Sequence, residues 1–419
     1  MAGCASMRRH SVNTEQGATS ETARGINRAI VLNLIRRRQP ISRADLARAS
    51  GLQPSTVSLI TEQLIREKWV VYGSVGRLPR GRRPTFLQLN DRRAILALDL
   101  RPANSTVAVA DVNGNFLERQ SIQTPDNPDA AVKIFSERIL RMITDHPELL
   151  FEGIGVVIPG RYDERRGRVV FAPNLKWPEF DLKAPLEKAT GLPVKMENAA
   201  NACVLAEVWF AQSAVRNLLA VTISEGVGVG IFADGHLLHA ANGMAGEFGH
   251  IPLDGSGPQC GCGSRGCWEV YASNWAALRF YGATSRSGGP SFLDLLALAE
   301  GRDQHALRAL DHMAQQIGRG MRMVIAALSP EEIVFVGEFT RMWNHMGPVI
   351  ERAVKQSVLI GNPPSVRPAA AEPSVARLRG TIAMVLQEHF GSAVDRRTGI
   401  AKLLRKPTVP ATGVEVMSF

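Results

Sequence analysis

The sequence predicts an α/β protein in which a small, basic, mainly helical module precedes a much larger body of interleaved strands and helices. Three observations carry this expectation. The excess positive charge sits at one end, the first segment repeats apolar residues at helical spacing, and the chain beyond residue 93 alternates strand-like with helical runs.

The charge division is the sharpest of the three. The 419-residue chain has 49 Lys+Arg against 39 Asp+Glu, a formal net charge of +10. Residues 1–93 hold 17 basic and 6 acidic residues, a net of +11, whereas the 32 basic and 33 acidic residues of the remainder nearly cancel. A cationic module joined to a neutral body is the electrostatic footprint of a polyanion binder. No apolar run reaches the roughly eighteen residues of a membrane span. Residues 1–10 lack the apolar core of a signal peptide, so no membrane association and a cytoplasmic location are expected. Five cysteines, three of them packed between 260 and 267, suit metal binding better than a disulfide framework. Cys4 and Cys203 read as ordinary thiols. The expected segments are a leader at 1–22, a DNA-binding module at 23–90, a large domain at 91–395 and a tail at 396–419.

In the first module, Ile26, Ile30, Val31 and Leu34 recur at helical spacing until Pro40 ends the segment. Ser42 is placed to cap a second helix, with Asp45 three residues on completing a capping box. Gly51 supplies a turn, and Pro54 suits the first position of a third helix, whose stripe of Val57, Ile60, Leu64 and Ile65 is expected to be buried. Helix, helix, glycine-containing turn and helix make a helix-turn-helix. Its third helix offers Gln53, Ser55, Thr56, Ser58 and Thr61 to base edges or phosphates, although Ser55 and Thr56 also suit helix capping. Two strand-like runs, 69–72 and 85–89, flank a Gly/Pro-rich tip carrying Arg77, Arg80, Arg82 and Arg83, a wing fit for phosphates or the minor groove. The module is therefore expected to be a winged helix-turn-helix that binds double-stranded DNA.

The body opens with strand-like runs at 94–100 and 106–111 and an Asn113-Gly114 turn, the pattern of an antiparallel meander. A helix is expected at 129–145, a strand through 153–158, strands at 218–224, 228–233 and 333–336, and helices at Ala199–Phe210 and 305–328.

Two segments of the body resemble the signature of the ROK family (repressors, open reading frames, kinases). They are Ala241-Asn242-Gly243-Met244-Ala245-Gly246-Glu247-Phe248-Gly249-His250-Ile251 and Cys260-Gly261-Cys262-Gly263-Ser264-Arg265-Gly266-Cys267-Trp268-Glu269. Gly155-Val156-Val157-Ile158-Pro159-Gly160, Ala172-Pro173-Asn174-Leu175 and Glu197-Asn198-Ala199-Ala200-Asn201-Ala202 match as well. The basic module ending in Gly81-Arg82-Arg83-Pro84 looks like the family's repressor branch. The resemblance spans roughly residues 24–390 and implies a two-lobed actin-like ATPase fold, sugar-kinase-like, with a sugar cleft between the lobes.

His250, Cys260, Cys262 and Cys267 supply one imidazole and three thiolates, a set suited to tetrahedral Zn²⁺. Four protein ligands leave no open position, so the expected zinc is structural rather than catalytic. The resemblance further implies that Asn198, Glu247, His250 and Glu269 hold sugar hydroxyls, whose donors and acceptors carboxylates and amides satisfy. Glu247 and Glu269 equally suit orienting the metal ligands.

Phosphoryl transfer needs a base and a phosphate cradle, and the sequence departs from the family's kinase pattern at both. Where the kinases have Asn-Asp, Asn198 is followed by Ala199, whose methyl group accepts no proton. The first phosphate loop, Asp-x-Gly-Gly-Thr in the kinases, reads Asp99-Leu100-Arg101-Pro102-Ala103, and Pro102 has no N–H to offer. The second carries Glu225 where a phosphate would sit, and a Gly-Gly near the nucleotide base becomes Gly337-Glu338. No catalytic residue is therefore assigned. The expected protein is a regulator of carbohydrate genes, a repressor sooner than an activator. A homodimer or homotetramer would bind a palindromic operator and respond to a sugar or sugar phosphate. An active sugar kinase and control by protein sequestration are the rival readings.

Overall fold

The computed structural model describes residues 20–75, 85–163, 166–172, 175, 177–211, 215–239, 244–283, 289–357 and 361–391. The expected wing arginines Arg77, Arg80, Arg82 and Arg83 lie outside these residues, as do most of the leader and the whole of the tail. The chain divides into two compact units, Met1–Gln88 and Leu89–Phe419.

The first unit runs α1 (Ser20–Arg38), β1 (Ile41–Ser42), α2 (Arg43–Ser50), α3 (Pro54–Arg66), β2 (Val70–Val75) and β3 (Thr85–Leu89), with β3 between β1 and β2. The Ser42 hydroxyl accepts from the Asp45 N–H at 3.2 Å and so caps α2. Gly51 ends α2 at φ 70°, the left-handed conformation that favours glycine. Pro54 opens α3, and Val57, Ile60 and Leu64 bury its inner stripe. The stripe differs from expectation at one place. Ile65 is only half-buried, and Thr61 is buried instead.

The second unit begins with β4 (Arg93–Asp99), β5 (Asn104–Asp111) and β6 (Phe116–Gln123), an antiparallel meander turned at Asn113-Gly114. Next come α4 (Pro128–Asp145), β7 (Leu150–Ile158), a small hairpin of β8 (Arg161–Asp163) and β9 (Arg168–Phe171), α5 (Lys183–Thr190), β10 (Val194–Asn198) and α6 (Ala199–Phe210). The strands β7 and β10 continue the meander's sheet in parallel, giving the order β10-β7-β4-β5-β6.

The plan then repeats. β11 (Leu218–Ile223), β12 (Val227–Ala233) and β13 (His236–Leu237) form a second antiparallel set. The helices α7 (Glu269–Ala272), α8 (Asn274–Tyr281), α9 (Phe292–Glu300) and α10 (Gln304–Leu328) follow. Then come β14 (Glu332–Val336), α11 (Trp343–Ser357), β15 (Ser365–Pro368) and α12 (Pro373–Phe390). The second sheet has the order β13-β12-β11-β14-β15, the same arrangement as the first. Each sheet has its own core, one built on Leu96, Val107, Phe135 and Ile154, the other on Val221, Trp268, Met313 and Phe335. Two lobes of like topology therefore face a shared cleft, at the carboxyl ends of parallel strands where α/β sheets bind ligands. Among the described residues no helix is long and apolar enough to cross a membrane.

Candidate functional site

The cleft has a volume of about 140 Å³. One wall is Pro159-Gly160 and the Asn198-Ala199-Ala200 start of α6; the other is the 224–228 turn and the 245–250 segment. All four residues expected to hold a sugar, Asn198, Glu247, His250 and Glu269, line it. Their free capacity differs from what the sequence suggests. Asn198 Oδ1 accepts from the Asn201 N–H at 2.9 Å and caps α6, so its Nδ2 is the group it presents. Glu269 Oε2 accepts from the Val227 N–H at 3.1 Å, tying the start of α7 to the turn between β11 and β12. A Cβ on Gly226 would stand 2.5 Å from that oxygen, so glycine is what admits the carboxylate.

His250 looks both ways. Its Nε2 is 3.7 Å from Glu247 Oε2 on the cleft side, while its Nδ1 is 3.6 Å from Cys260 Sγ. Burial raises the Glu247 carboxyl above its ordinary range against the pull of His250 and Arg161, and Glu269 pushes it further. The segment holding these residues rests directly on β12. Gly246 has φ 87°, and a Cβ there would lie 1.9 Å from the Val229 carbonyl oxygen.

Behind the cleft wall, the ligand atoms of His250, Cys260, Cys262 and Cys267 all lie within 4.8 Å of one another. The Cys262 and Cys267 sulfurs are 3.7 Å apart. A tetrahedral ion with sulfurs at about 2.3 Å separates them by about 3.8 Å, so this pair already stands at ligand spacing, and the four residues suit one metal ion after side-chain shifts of about 1 Å or less. Without a metal, burial pushes the Cys260 thiol up to about 12, because a thiolate there lacks solvation. Glu269 Oε1, 3.8 Å from Cys260 Sγ, joins this cluster to the cleft. The metal set and the expected sugar contacts thus share His250 directly and Glu269 through one side chain.

The segment that resembles a phosphate loop is occupied by the protein's own charges. Asp99 is buried and pairs with Arg101 Nε at 2.8 Å. Its other oxygen forms an ion pair with Arg377 of α12 at 2.6 Å, off-line for a hydrogen bond. Arg101 also stands 3.9 Å from Glu338. Burial alone would lower the Arg101 guanidinium, but Asp99, Glu338 and Glu225 together hold it above its ordinary value. Arg377, Glu225 and Pro102 all reach the cleft wall. Arg377 escaped the sequence reading, lying 278 positions from Asp99 and carrying no motif. A second unforeseen pair is Glu197 with His239, 2.6 Å apart, where Glu197 also accepts from Asn201 Nδ2 at 3.0 Å.

In the first unit, Gln53 and Ser55 at the start of α3 are exposed, and Thr56 and Ser58 are half-exposed. Thr61 corrects the expectation that it would reach DNA. It is 0% exposed, accepting from Arg43 Nε at 3.0 Å and donating to the Ser58 carbonyl at 3.0 Å. A buried hydroxyl with both roles satisfied has nothing left for a base edge. Arg43 is the residue the pattern missed: its Nη2 donates to the Tyr72 hydroxyl at 3.1 Å and its guanidinium lies 5.6 Å from the ring centre.

Two like lobes around a polar cleft, with a four-ligand loop behind one wall, define an actin-like sugar-kinase class of fold. The ROK family model matches residues 95–388, and the chain belongs to the ROK family. It is 32% identical over 314 residues to the xylose repressor of Bacillus subtilis (strain 168), covering 74% of this chain and 81% of that one. It is also 35% identical over 207 residues to the glucokinase of Streptomyces coelicolor, covering 49% of this chain and 64% of that one. Among solved structures, a ROK family transcriptional regulator, a homologue of the E. coli MLC protein, matches with a TM-score of 0.73 at 26% identity. That likeness covers 91% of this chain and 99% of that one. A ROK family glucokinase from Streptomyces griseus, in complex with glucose and AMPPNP, matches with a TM-score of 0.62 at 26% identity, covering 69% and 98%. The regulator's coverage exceeds the second unit alone, so the likeness reaches into the first.

Proposed function

We propose that this chain is a cytoplasmic transcriptional repressor of carbohydrate uptake or metabolism genes, and that its cleft senses a sugar or sugar phosphate without consuming ATP. The carrying observation is a basic amino-terminal unit of helices joined to a cleft lined by Pro102 and Glu225, where the family's kinase pattern has its phosphate loops, beside the Asp99–Arg101–Glu338 charges. The xylose repressor and the MLC-homologous regulator support the reading by their extent over the chain. Gln53, Ser55, Thr56 and Ser58 contact the operator, with Arg77, Arg80, Arg82 and Arg83 on its phosphates. Sugar hydroxyls meet Asn198 Nδ2, Glu247, His250 Nε2 and Glu269. The four-ligand site takes a structural Zn²⁺, which when bound fixes the loop carrying His250 and Glu269. A homodimer or homotetramer would match a palindromic operator, and sugar-biased lobe closure would change the placement of its reading heads.

The glucokinase relatives give the competing reading, an active sugar kinase. A coupled ADP-release assay with common hexoses, pentoses and amino sugars separates the two. The repressor reading expects background turnover together with a melting shift from the sensed sugar, about 2.7 kcal/mol at a hundredfold excess over Kd. Robust ADP release would overturn it. Restoring a carboxylate by Ala199→Asp is expected to leave turnover at background, because Pro102 still lacks an N–H and Glu225 still faces the cleft. Gly226→Ala drives a methyl against Glu269 Oε2. Losing a charged hydrogen bond of about 1.5–3 kcal/mol should raise the sugar concentration needed for the melting shift by about tenfold or more.

A further inference from the structure

We infer that Leu59 is a specificity-determining residue of the DNA reader. It receives the 5-methyl group of a thymine while Gln53 takes an adenine, so that α3 selects half-sites containing A·T pairs. This deepens the DNA-binding reading above and rests on it.

The observation is an apolar residue on the wrong side of its helix. Val57, Ile60 and Leu64 are buried, yet Leu59 is 66% exposed, the most exposed of the large apolar side chains among the described residues. A single exposed leucine needs no explanation by itself. Its setting supplies one. At 100° per residue, Ser55, Ser58, Leu59 and Glu62 share the face opposite the buried stripe, the face that a helix-turn-helix turns toward the major groove. The flanking serines are short, so base edges can come close to the leucine. The thymine methyl is the one apolar feature that the major groove displays, and an aliphatic side chain is its natural partner.

Gln53 adds the second half. It occupies the N-cap of α3, where Ser, Thr, Asp or Asn is usual, and makes no side-chain capping bond. Its exposed amide carries one acceptor and two donors, the match for adenine N6 and N7. Six residues of helix span about 9 Å, or about three base-pair steps, so both contacts fit one half-site.

Charge says what covers this face. Arg43, held by Thr61 and Tyr72, is a braced cation beside α3, and the net charge of +11 over residues 1–93 draws the face to phosphate. Glu62 is the exception, an exposed carboxylate one turn further along. Its repulsion of phosphate favours entry by the amino-terminal end of α3, where Gln53 and Ser55 lie.

The test uses the full chain and a duplex library with a randomised core of about two helical turns. Selected duplexes should carry a fixed thymine and, within about three steps, a fixed adenine. Replacing that thymine by uracil removes only the methyl and should weaken binding about three- to fivefold, from roughly 0.8 kcal/mol per buried carbon. Leu59→Ala, at an exposed position that leaves the core intact, should bind the thymine and uracil duplexes equally. Gln53→Ala should lose its adenine preference by about tenfold or more. Tight selection with no effect of uracil, or with Leu59→Ala still discriminating, overturns the inference and leaves the DNA-binding reading standing. Failure to enrich any duplex overturns both.

Discussion

A Cys260→Ala variant will purify with almost no bound metal, against about one ion per chain for the unaltered protein, and will lose its response to sugar. Three remaining ligands give an incomplete tetrahedron, and removing one thiolate from a structural site costs most of its affinity. The loss should spread to the cleft. His250 presents Nδ1 to Cys260 and Nε2 to Glu247, and Glu269 Oε1 stands 3.8 Å from Cys260 Sγ. Metal content by elemental analysis, read beside the sugar-dependent melting shift, checks both parts. Cys203→Ala is the control, since that thiol is buried in the core away from the cluster and should leave metal content unchanged. Acidification acts in the same direction as the mutation. The thiols bind as thiolates, and burial pushes metal-free Cys260 up to about 12, so loading releases a proton and weakens as pH falls. A Cys260→Ala protein that keeps its metal and its sugar response would remove the cluster from the account.

Asp99→Ala should destabilise the second unit by about 3–5 kcal/mol, the cost of stripping the counter-charge from buried cations. The residue that resembles a kinase's phosphate-loop aspartate is here a structural hub. It is 2% exposed, and its two partners, Arg101 and Arg377, are themselves largely covered. Denaturant unfolding measures the effect. A loss below about 1 kcal/mol would mean that the ion pairs are solvent-screened and that Asp99 is not a structural hub.

What the sequence made legible follows from where the information lies. Local punctuation was readable: Ser42, Gly51 and Pro54 mark the ends of α2 and α3 because capping, left-handed turns and fixed φ act within a few residues. The clustering of His250, Cys260, Cys262 and Cys267 was readable because the four fall within eighteen positions and only a few side-chain types suit a metal ion. The cleft was half legible. The residues expected to hold a sugar do meet, but Asn198 Oδ1 caps α6, a contact three residues away that is as local as the Ser42 cap and that its expected sugar role obscures. Thr61 follows Val57 and Ile60 at helical spacing and so shares their buried face, a phase its polar side chain masks; only its partner Arg43, eighteen positions earlier, is not legible in the sequence. Glu197–His239 and Asp99–Arg377 were invisible for the same reason, since pairs across 42 and 278 positions exist only once the sheets are assembled. The duplicated sheet order is likewise a property of pairing between strands, which alternation of apolar residues does not specify.

The most direct test of a sugar-sensing repressor is the affinity of the full chain for the duplex it selects from the randomised library, measured by fluorescence anisotropy with and without a panel of pentoses, hexoses and their phosphates. The account predicts tight, salt-sensitive binding that one sugar or sugar phosphate weakens by about 5–150-fold, the usual range for coupling between two sites. Binding that no sugar or sugar phosphate alters, or no binding above that to random DNA, would contradict it.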